Sequence, residues 1–172
     1  MPRIILIGPP GCGKSTVGQA IADKLDCQFV DTDSVVEQEY GHSISDIFVD
    51  QGEAFFRDLE YKALEDSLQI PDCVLALGGG APISQRAQDL LSRCKSPIIF
   101  LDVSLAVAAP RVGFNRDRPL LLGNPRAQWQ ELAQTRRPIY ESLATKTIKV
   151  DGMSVQELVL SLIHISEPTR PY

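Results

Sequence analysis

The sequence predicts an α/β protein in which helices cover both faces of a five-stranded parallel sheet, a three-layer α/β/α arrangement. Three observations support this prediction. Five short apolar segments recur along the chain, helical patterns separate them, and no internal repeat or linker divides the 172 residues. Strands that alternate with helices form right-handed βαβ units, which make the strands parallel. We therefore expect one domain with its own hydrophobic core over residues 1–162.

The predicted strands are short and apolar, as expected for strands that are buried on both faces of a sheet. They are Arg3–Ile7, Gln28–Asp31, Cys73–Leu77, Pro97–Asp102 and Thr147–Val150. A helix is predicted after the first strand, because apolar residues recur there at helical spacing, at Val17, Ala20, Ile21 and Leu25.

The first residues of the later helices are also visible, because serine and asparagine side chains accept hydrogen bonds from first-turn N–H groups. Ser43 is the predicted N-cap of a long helix that runs from Ile44 to about Leu68. The other predicted caps are Ser84, Asn124 (followed by Pro125 at the tolerated first position) and Ser154, which begins a capping box with Glu157.

Composition and charge argue against several classes of function. A formal net charge of −5 provides no basic footprint for nucleic acid. No apolar run reaches the roughly 18 residues that cross a bilayer, and no signal segment precedes the first strand. The four cysteines, Cys12, Cys27, Cys73 and Cys94, lack the paired spacing of a metal site. We expect a cytoplasmic monomer with no nucleic-acid or membrane partner.

The segment Gly8–Thr16 is the strongest functional signal. It reads G-x-x-x-x-G-K-S between a predicted strand and a predicted helix, which is the context of a phosphate-binding loop. Its glycines let backbone N–H groups point at phosphate oxygens, and the helix adds its positive dipole end. In such a loop Lys14 reaches the β- and γ-phosphates, and the Ser15 hydroxyl is placed for Mg²⁺. The alternative, a chance glycine turn, does not explain the flanking elements.

Two carboxylates, Asp31 and Asp33, follow the second predicted strand. The carboxyl end of a strand faces the ligand crevice of an open α/β sheet. One carboxylate can help to hold Mg²⁺ through water, and the other can accept a hydrogen bond from a substrate hydroxyl. The alternative for Asp33 is that it caps the next helix.

Two further features suggest a second ligand. Arg57 and Glu60 share a helix face, so Glu60 can orient the Arg57 guanidinium toward a carboxylate. The alternative is a solvated surface ion pair, which contributes little to stability. The glycine triplet Gly78–Gly80 ends the third predicted strand, where a ligand can touch the backbone, unless the triplet is a simple tight turn.

The polar segment at about residues 112–124 is rich in arginine and is predicted to be a mobile lid. An arginine on a closing loop, such as Arg116 or Arg118, can neutralise charge on a transferred phosphoryl group. Pro138 is predicted to interrupt a later helix. Adjacent arginines in a helix point to different sides, so at most one of Arg136 and Arg137 faces the pocket and the other is a solvated surface charge.

Residues 163–172 contain two prolines and no core pattern, so they are predicted to form a disordered tail. Ser161–Arg170 also resembles the translation of an adapter used in sequencing libraries. One hypothesis is therefore that the tail is not native, and the alternative is a genuine disordered tail. We assign no function to His164 in either case.

Together these segments resemble the shikimate kinases, small P-loop kinases of the nucleoside-monophosphate-kinase type. The resemblance extends from about Arg3 to Leu160 and rests on six motifs in order, which are G-x-x-G-x-G-K-S/T, D-x-D, G-E-x-x-F-R-x-x-E, G-G-G, R-P-L-L and R-x-P-L/I-Y. Each motif is weak alone, whereas the ordered set is highly specific. The resemblance implies ATP-dependent phosphorylation of the 3-hydroxyl of shikimate, in the route to aromatic amino acids, with a substrate-binding helical segment at about residues 33–61.

The resemblance also implies roles for the motif residues. ATP would be bound by Gly11, Cys12, Gly13, Lys14, Ser15, Thr16, Arg111 and Arg118, with Arg111 along the adenine. Mg²⁺ would be held by Ser15 directly and by Asp31 through water. Shikimate would be bound by Asp33, Arg57, Gly79, Gly80 and Arg136, the two arginines holding its carboxylate. The implied catalytic residues are Lys14, Asp33 as the candidate base, and Arg118. A backbone segment around residues 151–154 would lie near the adenine.

Two other functions fit parts of the pattern. Another small-molecule kinase of the same architecture, such as a gluconate or nucleotide kinase, is disfavoured by the D-x-D, F-R-x-x-E and G-G-G set. A nucleotide-binding regulatory module without turnover is disfavoured because it would not need Lys14, Ser15, Asp33 and Arg118 together.

Overall fold

The computed structural model describes residues 1–112 and 124–166. The strands are β1 Ile4–Ile7, β2 Gln28–Asp31, β3 Cys73–Ala76, β4 Ile98–Asp102 and β5 Lys146–Lys149. The helices of the described residues are α1 Lys14–Leu25, α2 Thr32–Tyr40, α3 Ile44–Gln51, α4 Glu53–Leu68, α5 Gln85–Ser92, α6 Leu105–Val112, α7 Pro125–Leu143 and α8 Val155–Ser166. Within these ranges no helix combines the length and the apolar character that crossing a bilayer requires.

The five strands form one parallel sheet in the order β2-β3-β1-β4-β5. This confirms the predicted five-stranded parallel sheet, and each observed strand end lies within one residue of its predicted position. The connection from β1 to β2 passes over β3, and the connection from β3 to β4 passes over β1. The segments that follow β1, β2 and β3 therefore meet at one edge of the sheet, where open α/β sheets bind ligands.

The side chains of β1 alternate between two layers of core, as a strand requires. Ile4 and Leu6 pack in one cluster with residues of α1 and α8, whereas Ile5 and Ile7 pack in the other with residues of α4, α5 and α7. All four side chains are fully buried. The three-layer α/β/α arrangement is thus confirmed, with β1 at its centre.

The predicted long helix from Ile44 to Leu68 is wrong, because Gly52 divides it into α3 and α4. Gly52 has φ 86° and ψ 173°, a conformation that ends a helix and that glycine adopts without strain. The predicted cap is confirmed, since Ser43 Oγ accepts a hydrogen bond from the N–H of Asp46. Phe48 and Phe56 pack across the break, with ring centroids 4.8 Å apart.

The prediction that Pro138 interrupts its helix is also wrong. The helix α7 continues from Pro125 to Leu143 with Pro138 inside it. A proline removes one backbone N–H from the helix, a cost that tertiary packing can offset. Here the packing comes from the buried side chains of α7, which are Trp129, Arg136 and Tyr140.

The last helix extends beyond the predicted end of the domain. It begins at Val155 with the predicted cap, because Ser154 Oγ accepts from the N–H of Glu157 and also donates to its carboxylate. It continues to Ser166, and Ile163 and Ile165 pack against the core. The first four residues of the predicted tail are therefore helical, and residues 167–172 lie outside the described residues.

We expect Leu162→Ala to reduce the free energy of unfolding by about 2–5 kcal/mol, because it leaves a cavity where α8 packs on the core. Leu162 is 0% exposed, whereas Leu160 on the same helix is 58% exposed. The matched control Leu160→Ala should change the stability by less than about 0.5 kcal/mol. Urea unfolding of both variants measures the difference, and equal losses would show that α8 does not belong to the core.

Candidate active site

The loop between β1 and α1 presents backbone N–H groups at the edge of the sheet. Gly13 occupies the N-cap position of α1 with φ 96°, and no side chain caps the helix there. The first-turn N–H groups of α1 are consequently available to an anion, which the positive end of the helix dipole also attracts. Lys14 Nζ donates to the carbonyls of Gly8 at 2.6 Å and Pro9 at 3.2 Å, so its charge lies over the same loop.

A cavity of about 400 Å³ opens over this loop. Its lining includes the polar side chains of Lys14, Ser15, Asp31 and Asp33 and the apolar side chains of Val150, Met153, Val155 and Leu158. Arg111 lines the cavity as well and donates from Nη1 to the Gly11 carbonyl at 3.2 Å. This lining offers polar groups to a phosphate and apolar side chains to a flat base.

Asp31 joins the phosphate loop to the start of α2. Its Oδ1 accepts from the N–H groups of Asp33 and Ser34, so Asp31 is the N-cap of α2. The alternative in which Asp33 caps this helix is therefore wrong. The other oxygen of Asp31 accepts from Ser15 Oγ at 2.9 Å.

The pair of Ser15 and Asp31 suits a hard divalent cation, because hydroxyl and carboxylate oxygens are the ligands that Mg²⁺ prefers. Over residues 1–112 and 124–166, no group of three or more His, Cys, Asp and Glu side chains could hold a metal ion. A magnesium ion would thus need phosphate oxygens and water to complete its coordination, as Mg²⁺ commonly does in phosphoryl-transfer sites.

The glycine triplet after β3 is packed against three charged side chains. A β-carbon at Gly78 would overlap the carboxylate of Asp33, and one at Gly80 would overlap the guanidinium of Arg57. A β-carbon at Gly79 would lie 3.1 Å from Pro10 Cδ and 3.3 Å from Arg136 Nη1. The triplet does form a tight turn, since the N–H of Ala81 donates to the Gly78 carbonyl at 2.9 Å, and it also brings a carboxylate and two guanidinium groups around one stretch of backbone.

Arg57 pairs with a buried carboxylate, Glu60, and more loosely with an exposed one, Glu53, at 3.5 Å. Its Nη1 lies 2.8 Å from Glu60 Oε1, and the Glu60 side chain is 6% exposed. Burial raises the pKa of Glu60, and the neighbouring Arg57 opposes that shift. Arg57 and Arg136 both line a second cavity of about 350 Å³, which Gly80 also borders. The two guanidinium groups can thus act on one anion in this cavity.

Three contacts in the site were not anticipated from the sequence. Tyr140 Oη donates to the Gly79 carbonyl at 2.6 Å, Trp129 Nε1 donates to the Pro10 carbonyl at 2.8 Å, and Arg137 forms a bidentate pair with Asp102 at 2.8 and 2.6 Å. The prediction that the second arginine is a solvated surface charge is therefore confirmed only in part, because the Arg137 side chain is 43% exposed but is ion-paired. The spacing of Arg136 and Tyr140, four residues apart on one helix face, was a signal that could have identified Tyr140.

The predicted lid, with Arg116 and Arg118, lies almost entirely at residues 113–123, outside the described residues. Of the other predicted site residues, the structure places Gly11–Thr16, Asp31, Asp33 and Arg111 around the first cavity, and Arg57, Gly80 and Arg136 around the second. Gly79 lies in the wall of the first cavity beside Arg136.

We expect the buried Tyr140 hydroxyl to make stability fall at alkaline pH. Burial raises the pKa of this hydroxyl to about 12, compared with about 10 in an unfolded chain. Its contribution to the free energy of unfolding is therefore complete below about pH 10 and is lost as the pH rises toward about 12. The stability advantage of the wild type over Tyr140→Phe should shrink by about 1 kcal/mol between about pH 9 and about pH 11. Urea unfolding at both pH values measures this change, with Tyr61→Phe as the control; a constant difference would contradict it.

Comparison with known proteins identifies relatives across nearly the whole chain. Residues 10–166 match the family model for shikimate kinase. A shikimate kinase from Rhodococcus erythropolis is 42% identical over 163 residues, which cover 94% of this chain and 95% of that protein. One from Salinispora arenicola is 44% identical over 161 residues, which cover 94% of this chain and 95% of that protein.

Solved structures agree with this comparison. The shikimate kinase of Acinetobacter baumannii in complex with shikimate superposes with a TM-score of 0.89 at 31% identity, covering 94% of this chain and 90% of that chain. A gluconokinase from Sinorhizobium meliloti, with a TM-score of 0.57 at 18% identity over 95% of this chain and 90% of that chain, shares the fold alone. The chain therefore belongs to the shikimate kinase family.

Proposed function

We propose that this protein transfers the γ-phosphoryl group of ATP to the 3-hydroxyl of shikimate, which yields shikimate 3-phosphate for the synthesis of aromatic amino acids. One observation carries the proposal. Asp33, Arg57 and Arg136 converge on the glycine triplet directly beside the phosphate loop. An acceptor with hydroxyl groups and a carboxylate, such as shikimate, matches that combination of one carboxylate and two guanidinium groups. The bound shikimate of the Acinetobacter baumannii relative supports the assignment.

On the acceptor side, Arg57 and Arg136 would hold the shikimate carboxylate, and the backbone at Gly79 and Gly80 would close on the ring. Glu60 keeps the Arg57 guanidinium in place, so that less ordering is required when the acceptor binds. Asp33 would accept a hydrogen bond from the reacting hydroxyl and take its proton. Its position against Gly78, at the border of the first cavity, points the acceptor toward the phosphate loop.

On the donor side, the backbone of Gly11–Thr16 and the ammonium of Lys14 would bind the phosphates of ATP. Ser15 and Asp31 would hold Mg²⁺, Asp31 through water; when bound, this ion neutralises charge on the β- and γ-phosphate oxygens. The apolar lining at Val150 and Met153 would receive the adenine, with Arg111 alongside it. Catalysis by these residues consists of positioning and charge stabilisation.

Four parts of the proposal rest on the sequence. They are Arg118 at the transferred phosphoryl group, closure of a lid at about residues 112–124 to exclude water, a monomeric state, and a cytoplasmic location without nucleic-acid or membrane partners. The net charge of −5 supports the last of these, because nucleic acid and anionic lipid surfaces repel an acidic protein.

The direct test of the proposed function is ADP release in the presence of ATP and Mg²⁺, measured with shikimate, gluconate and AMP as separate acceptors. We expect release that depends on shikimate. Turnover with only one of the other acceptors would indicate a different kinase, and nucleotide binding without turnover would indicate a regulatory module.

We expect Arg57→Ala to raise the KM for shikimate by about 10-fold or more, the effect of removing a charge-assisted pair to a carboxylate. The KM for ATP should change little, because Arg57 borders the second cavity only. Steady-state kinetics with each substrate varied in turn measures the two constants. Arg93→Ala, which removes an arginine at the end of α5, is the matched control. An unchanged KM for shikimate would place the carboxylate elsewhere.

We expect Arg118→Ala to reduce kcat on the order of 100-fold or more, because a fixed charge at the developing phosphoryl charge acts mainly in the transition state. The KM for shikimate should be nearly unchanged. Single-turnover and steady-state rates of ADP release measure the loss, and a variant that retains the wild-type kcat would refute this role of Arg118.

A further inference from the structure

Trp129, the only tryptophan of the chain, contacts the phosphate loop through its indole N–H. Its indole Nε1 donates to the carbonyl of Pro10 at 2.8 Å, across 119 positions in the sequence. The residue is 3% exposed. A buried indole N–H needs an acceptor, and here the acceptor is a backbone group of the loop that faces the nucleotide cavity.

Pro9 and Pro10 have no backbone N–H, so the backbone of these two loop residues can only accept hydrogen bonds. The carbonyl of Pro9 accepts from the N–H of Cys12 and from Lys14 Nζ, and the carbonyl of Gly8 accepts from Lys14 as well. A phosphate would compete for the Lys14 ammonium. Trp129 does not line the first cavity, so its bond to Pro10 can persist when Lys14 turns toward a ligand.

The helix α7 also contacts the glycine triplet, on the other side of the site. Trp129, Arg136 and Tyr140 are the buried residues of α7, and their spacings of seven and four residues place them on one face. Tyr140 donates to the Gly79 carbonyl, and Arg136 lies against Gly79 and Gly80. Pro10 lies in turn beside Gly79. One helix face therefore contacts both the phosphate loop and the glycine triplet.

We propose that Trp129 is a positioning residue, which fixes Pro10 through its indole N–H and thereby sets the arrangement of the phosphate loop for nucleotide binding and transfer. It lines neither of the two cavities described above and acts through the loop backbone. The expected effect of Trp129 on turnover rests on the proposed function. Its expected effect on nucleotide affinity does not depend on the identity of the acceptor.

The first test measures ADP affinity and kinetics of Trp129→Phe in the full chain. We expect the Kd for ADP and the KM for ATP to rise about 5- to 30-fold, the ratio that corresponds to one lost hydrogen bond to a buried carbonyl. The KM for shikimate should change less than about 2-fold. Gln130→Ala, at the exposed next position of α7, is the matched control and should leave both constants unchanged. A folded Trp129→Phe with wild-type ADP affinity would overturn the proposal.

A second variant separates the hydrogen bond from the size of the ring. Because the chain has a single tryptophan, it can be replaced during expression by benzothienylalanine, in which sulfur takes the place of the indole N–H. This near-isostere should weaken ADP binding as Trp129→Phe does. Wild-type affinity in the isostere would assign the effect to packing and overturn the proposed role of the N–H, even where Trp129→Phe is poorly folded.

The wild-type protein provides an independent spectroscopic readout, because Trp129 contacts the phosphate loop. Excitation of Trp129 should give a fluorescence change that saturates with ADP at the Kd measured by calorimetry. An emission spectrum that ADP at saturation leaves unaltered would contradict the coupling. Failure of shikimate-dependent ADP release alongside a normal ADP response would instead refute the proposed acceptor and leave the role of Trp129 intact.

Discussion

The site depends on the close approach of the backbone at Gly78–Gly80 to charged side chains from three helices. Asp33 comes from α2, Arg57 from α4 and Arg136 from α7, and β-carbons on the triplet would collide with them. Because the loops after β1, β2 and β3 meet at one sheet edge, the triplet lies beside the phosphate loop, where Gly79 approaches Pro10. The proposed acceptor and donor halves of the site are thus neighbours as a consequence of strand order.

Charges this close together require partners, since an unpaired buried charge is costly. Glu60 is buried against Arg57, and Asp102 accepts a bidentate pair from Arg137. The first pair orients the Arg57 guanidinium, which lines the second cavity. The second pair holds Arg137 at Asp102, so Arg136 is the one of these two adjacent arginines that borders the second cavity. The negative partners therefore decide which positive groups are available to a substrate carboxylate.

Several groups serve the local structure and the site at once. Asp31 caps α2 with one oxygen and accepts from Ser15 with the other. Gly13 begins α1 without a side-chain cap, which leaves the first-turn N–H groups for phosphate. The helix α7 contributes Arg136 to the acceptor side and supports both loops through Trp129 and Tyr140. Replacing such residues would consequently disturb folding and ligand binding together.

The sequence by itself determined the strands, the N-caps at Ser43 and Ser84, the phosphate loop and the residue types of the site, because each depends on a local pattern of a few residues. Only the tertiary structure decided the helix break at Gly52, the continuation of α7 through Pro138, the pairing of Arg137 with Asp102, and the contact of Trp129 with Pro10. Whether a glycine ends a helix or a proline is tolerated depends on the packing around it. Arg137 and Asp102 are 35 positions apart in the sequence, and Trp129 and Pro10 are 119 positions apart. Such contacts depend on strand order, which local periodicity does not encode.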